Sequence, residues 1–115
     1  MATTVHTIEP KARNEIAEES RRLYYAYRHA KALWDAAMYS PEYVDADLPD
    51  EISDPLSDAH THALDAFLLA PAGDAKQLAK KLAVFRDEEI FHGWHRAAEV
   101  AAAMAQDAHS LAWPD

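Results

Sequence analysis

The chain has 115 residues, 50% of them hydrophobic, and a formal net charge of −9. That length suits one domain with a modest core, and the absence of cysteine excludes disulfides, thiolate metal sites and a cysteine nucleophile. The acidic balance disfavours nucleic acid and favours cations or basic protein surfaces.

Residues 1–8 read as a tail without the apolar run of a signal peptide. No stretch approaches the ~20 apolar residues of a membrane span. A cysteine-free chain suits a reducing compartment, so the expectation is a cytoplasmic protein with no membrane partner.

The first helix is expected over residues 9–39. Pro10 is tolerated in a first turn, and Ser40-Pro41 stops the helix. Ile16, Leu23, Ala30 and Ala37 recur every seven residues, and Ala26, Tyr27, Leu33 and Trp34 widen that stripe. Within it, Arg21 to His29 interleaves basic and aromatic side chains. Such a run can stack on single-stranded nucleic acid. Against the overall charge, it reads instead as Tyr27 entering the core while the arginines pair with acids or a partner.

Residues 40–54 form an acidic, proline-containing connection, long for a link between helices. A second helix is expected over 55–70, with Asp54 as its N-cap, Pro55 at its first position and Leu56, Ala59, Ala63, Phe67 and Ala70 as its apolar face. Pro71-Ala72-Gly73 ends it, and Asp74 caps a third helix over 75–108. The stripe of that helix rotates by roughly 120° between Leu78–Leu82–Phe85 and Ile90–Trp94–Ala97–Ala101–Met104, which a kink near Gly93 explains. The fold expected is all-α. It is an antiparallel three-helix bundle, with two long helices and one short one, completed by dimerisation where apolar surface stays uncovered.

The charge is uneven. Residues 32–75 contain no lysine or arginine and ten acids, whereas residues 1–31 carry a net +2 and residues 76–115 a net −1. The imbalance therefore lies in the middle, around the long connection. Tyr43, Asp45, Asp47, Leu48, Asp50, Glu51 and Ile52 are the candidate partner-binding residues: the apolar ones anchor, while the acids steer. A solubilising loop is the plainer reading of the same charges.

On the third helix Glu88, His92, His95 and Glu99 fall at i, i+4, i+7 and i+11, one face on which imidazole and carboxylate can ligate a divalent metal. Asp58, His62 and Asp65 share a face of the second helix and complete a mixed site if the two faces meet. The alternative is a solvated polar face. Glu89 and His92 continue the Leu78–Leu82–Phe85 stripe and are expected partly buried, hydrogen-bonded to one another or to a tyrosine. No catalytic residue and no organic cofactor is indicated, and no phosphate-cradling glycine loop is present.

Ala63 to Ala72 (ALDAFLLAPA), with Leu78-Ala79-Lys80-Lys81-Leu82 and Arg86-Asp87-Glu88-Glu89, resembles a loose group of short all-helical proteins of alphaproteobacterial genomes, often prophage-associated. The resemblance implies a helix, a small-residue proline turn and a capped second helix. It implies no activity, and residues 1–55 lie outside it. The functional expectation is a non-enzymatic, prophage-linked helical interaction module whose acidic segment meets a basic protein surface. The alternatives are a metal-binding protein using the His/Glu face and a plain oligomerisation module.

Overall fold

The computed structural model describes residues 10–43 and 48–113; the tail and the candidate residues Asp45 and Asp47 lie outside the described residues. Its regular elements are all helical: α1 (Pro10–Met38), a single 3-10 turn (Pro41–Tyr43), α2 (Asp50–Leu69), α3 (Ala75–Asp87) and α4 (Ala97–Ala112). Among the described residues there is no strand, and no helix is long and apolar enough to cross a membrane.

α1 stops where Ser40-Pro41 requires. Its seam is Ile16, Ser20, Leu23, Tyr27, Ala30, Trp34 and Ala37, an alternating four- and three-residue spacing that keeps one edge toward a partner helix. Tyr27 enters the core, as the sequence indicates, but Ala26 and Leu33 stay exposed, so the expected stripe is wider than the buried one. Arg22 pairs with Glu19 on its own helix, not with the acidic middle segment.

α2 starts four residues before Asp54, the expected cap. Pro49 takes the cap position with extended backbone, and its carbonyl accepts from the N–H groups of Ile52 and Ser53 at 2.9 Å each. Asp50 and Glu51 then occupy the first turn, where negative charge complements the positive helix end. Pro55 falls inside the helix. Its missing N–H leaves the Glu51 carbonyl unpaired, and both residues are exposed, so water can serve that carbonyl.

The α2–α3 turn is tightly specified. Asp74 accepts from the Gln77 backbone N–H at 2.8 Å, which confirms it as the N-cap of α3. The Gln77 side chain accepts from Gly73 N–H and donates to the Ala17 carbonyl of α1, both at 2.8 Å. A β-carbon on Gly73 would lie 2.8 Å from the Ala17 Cβ, so only glycine lets the turn pass beneath α1.

The single helix expected over 75–108 is two helices. α3 ends in a Schellman motif: Glu89 N–H bonds to Arg86 carbonyl and Ile90 N–H to Phe85 carbonyl, both at 3.1 Å, with Glu89 at φ +53°. Gly93 at φ +88° continues the reversal before α4 begins. The break drops Ile90 fully into the core. It also accounts for the rotated stripe, since two helices running in opposite senses replace one. The bundle accordingly has four helices rather than three.

Side-chain ties fix the directions. α1 and α2 are antiparallel, α3 runs along α1 from Ala17 to Lys31, and α4 returns along α3 and α2. Tyr27, Leu64, Phe67, Leu68, Val84, Ile90, Val100 and Met104 form the core. Phe67 joins it across helices, stacked on Tyr27 and edge-on to Tyr24, whose ring also lies under the Lys80 ammonium at 4.3 Å.

Beside this core lies a buried ion pair. Lys81 is fully buried and donates to Asp107 Oδ2 at 2.5 Å and to the Ala70 carbonyl at 2.7 Å. Asp107 Oδ1 in turn accepts from Ala72 N–H at 3.0 Å. Removing one partner strands the other charge. Lys81→Met is therefore expected to cost about 3–5 kcal/mol in urea unfolding. Adding Asp107→Leu should recover part of that loss, though not the two turn hydrogen bonds; equal losses in single and double variants would contradict a stranded charge.

Candidate functional site

The segment that was to place Glu88, His92, His95 and Glu99 on one helical face is the one that breaks. Glu88 lies at the C-cap of α3 and turns inward. His92 sits exposed in the following turn, 3.8 Å from an equally exposed Glu89. His95 Nε2 meets Asp65 Oδ2 at 2.9 Å, and Glu99 pairs with Arg96 at 2.6 Å. Each candidate ligand has its own partner, and the helical spacing that was to align them is absent. Among the described residues no three histidine or acidic side chains converge as a metal site. Asp65 is the one member of the α2 set that meets a candidate ligand, and its Oδ1 also accepts from Trp94 Nε1 at 2.7 Å. Glu89 and His92 point to solvent rather than into the bundle, because the left-handed residue reverses the chain there.

What the fold does assemble is a polar knot around Glu88, where α1, α2 and α3 meet. Glu88 Oε2 accepts from the Tyr27 hydroxyl at 2.5 Å, faces His60 Nε2 at 3.0 Å and lies 3.6 Å from Lys31 Nζ. The Glu88 and His60 side chains are each 14% exposed. Burial works to raise the Glu88 carboxyl, but the hydrogen bonds from His60 and Tyr27, helped by the charges of His60 and Lys31, outweigh it and bring it to about 2. Burial, reinforced by the hydrogen bond to Glu88, pushes the Tyr27 phenol well above its ordinary value.

Among the described hydrogen bonds and ion pairs, this knot is the farthest point along the α1–α2 pair at which α3 holds it. Past it run residues 32–43 of α1 and its 3-10 turn, and residues 48–59 leading into α2. Large apolar side chains are exposed there: Tyr39 at 82%, Leu33 at 47%, Met38 at 46% and Ile52 at 37%. Glu42, Asp50, Glu51, Asp54 and Asp58 lie in the same region and form no ion pair among the described residues. Of the candidate partner-binding residues, Asp50, Glu51 and Ile52 are exposed on the first turn of α2, Leu48 is half-buried just before it, and Tyr43 closes the 3-10 turn. The last third of the expected acidic loop, residues 50–54, is thus α-helix.

Sequence reasoning missed His60, Lys81 and Asp107. Their contacts join residues 28 and 26 positions apart on different helices, and no local spacing announces them. The expected hydrogen bond from a tyrosine to a glutamate exists, but one residue earlier, at Glu88.

Because the Glu88 carboxyl is held low, its contribution is complete above the ordinary carboxyl value of 4.5 and is lost as pH falls toward 2. Glu88→Gln is expected to flatten the acid limb of the stability–pH curve between about pH 4.5 and 2 and to lower stability at pH 7. Thermal unfolding across that range, with parallel limbs in both proteins, would contradict this assignment.

No family model, no curated protein and no solved structure matches the chain.

Proposed function

We propose that this chain is a non-enzymatic helical interaction module, prophage-linked and cytoplasmic, whose projecting α1–α2 end recognises a basic protein surface. The observation that carries this reading is the exposure of Leu33, Met38, Tyr39 and Ile52 near Glu42, Asp50, Glu51, Asp54 and Asp58, which form no ion pair among the described residues. Exposed aromatic and aliphatic anchors supply binding energy when a partner desolvates them, and the surrounding field accelerates encounter with an oppositely charged surface.

The same charges disfavour a second copy at this end. Two such ends would bring carboxylates against carboxylates, and like-charge juxtaposition costs several kcal/mol. Plain self-association is therefore the weaker reading, and a basic partner the stronger.

The test is capture from host lysate at low salt by the tag-free chain immobilised through its N-terminus. A basic protein is expected among those retained, released as salt rises. Neutralising Asp45, Asp47, Asp50 and Glu51 to their amides should abolish retention. The same change should cost only about 0.3–1 kcal/mol of helix stability for each of the two first-turn acids. Retention of the same protein by the neutralised variant, or none by the native chain at low salt, would contradict the reading.

A further inference from the structure

Among the described side chains, the lysines and arginines that form no ion pair are Arg13, Arg21, Arg28, Lys76 and Lys80. They are not scattered. α1 meets α3 at Ala17, beside Gly73 and Gln77, at Tyr24, whose ring lies under Lys80 Nζ at 4.3 Å, and at Lys31, beside Glu88. At about 3.6 residues per turn, Arg13, Arg28 and Arg21 lie about 20°, 40° and 60° around α1 from Tyr24, so all three stand on the α3 side. Lys76 precedes Lys80 by about one turn of α3. These cations therefore line one seam, about 22 Å long from Arg13 to Arg28 at 1.5 Å per residue.

An aromatic ring is set into this seam. Tyr25 follows Arg21 at i+4 and precedes Arg28 at i+3, spacings that put the three side by side on α1. Its ring is 62% exposed and stands edge-on to Tyr24 at 5.7 Å. Of the basic and aromatic run from Arg21 to His29, Tyr27 turns inward and Arg22 pairs with Glu19. Arg21, Tyr25 and Arg28 stay exposed, and α3 adds Lys76 and Lys80 beside them.

The net charge of −9 is not the charge of this seam. By the same geometry the acids that border it are Glu18, Asp35, Asp74 and Asp87. Three of these are engaged: Asp35 with Lys31 at 4.0 Å, Asp74 as the cap of α3, and Asp87 with Arg86 at 2.9 Å. The acids of the projecting α1–α2 end lie past Glu88, beyond the seam. At physiological salt a charge is screened within about 8 Å. A ligand on the seam thus meets a local sign that is the reverse of the total.

Cations beside an exposed ring match a phosphate backbone with unpaired bases: guanidinium and ammonium groups take the phosphates, and the ring takes the face of a base. An acidic peptide answers the cations but not the ring, and a duplex hides its base faces. We infer that the α1–α3 seam is a binding strip for single-stranded nucleic acid, with Arg21, Arg28, Lys76 and Lys80 on the phosphates and Tyr25 stacked on a base. It lies apart from the projecting α1–α2 end and does not depend on the function proposed for that end.

The probe is a fluorescent oligo(dT) of about 16 nucleotides, the upper end of site sizes for such strips, with binding read by anisotropy in about 50 mM salt. Saturable binding is expected, with a log–log salt slope of about −3, the value for four or five phosphate contacts on a single strand. Arg21→Gln combined with Arg28→Gln should weaken it at least about tenfold and reduce that slope by about 1.4. Tyr25→Ala should weaken it at least about fivefold and leave the slope unchanged. Arg96→Gln removes a cation that is paired with Glu99 away from the seam, and should change binding less than about twofold. Circular dichroism confirms that each variant is folded. Absence of saturable binding, a slope that the double variant leaves unchanged, or displacement by polyglutamate as readily as by unlabelled oligo(dT) would overturn the inference. So would equal affinity for a duplex of the same length together with indifference to Tyr25→Ala, since that pattern is phosphate contact without stacking.

Discussion

The buried Lys81–Asp107 pair sets the layout on which everything else depends. Its four hydrogen-bonding groups join three parts of the chain: α3, α4, and the turn that leaves α2. Two buried charges in contact are not in themselves a strong source of stability, because both lose hydration. Their effect here is directional. The ammonium takes the carbonyl of Ala70, the C-cap residue after α2, and the carboxylate takes the N–H of Ala72, so the turn has one geometry. Gly73 then passes under Ala17, where no β-carbon fits, and Gln77 ties the turn to α1. With its start fixed in this way, α3 can run only along one side of the α1–α2 pair.

Glu88 is the consequence at the other end of α3. The helix delivers it to Tyr27 and His60, which hydrogen-bond it, and to the Lys31 ammonium at 3.6 Å, so the carboxylate stays ionised. The Gly73–Gln77 turn holds α3 at its start, Lys81 at its middle and Glu88 at its end. Among the described residues, nothing comparable ties the pair beyond Glu88, and the exposed apolar side chains Leu33, Met38, Tyr39 and Ile52 fall there beside carboxylates that form no ion pair.

How much of this was legible follows the range of each interaction. The all-helical class, the end of α1 at Ser40-Pro41 and the cap at Asp74 are local effects, and the sequence shows them directly. The start of α2 was displaced because Pro55 looks like a first-turn residue. Five helical residues precede it, stabilised by Pro49 and the acids Asp50 and Glu51. The break after Asp87 left a trace in the rotated stripe, but Glu89 hides it, since a left-handed cap usually announces itself as glycine. Once the break is in place, the spacing that grouped Glu88, His92, His95 and Glu99 has no meaning. The Lys81–Asp107 and Glu88–His60 contacts were illegible because they are made between helices.

The central claim is that the end of the α1–α2 pair beyond Glu88 is open in the free chain. The absence of cysteine makes that directly measurable, with Leu33→Cys and Ile52→Cys as exposed reporters and Leu68→Cys as a buried one. Thiol-labelling rates should be fast at 33 and 52 and unchanged by protein concentration, with position 68 slow throughout. Slow labelling at 33 and 52 in the dilute free chain, or slowing that tracks its own concentration, would show that this end is already covered and contradict the account.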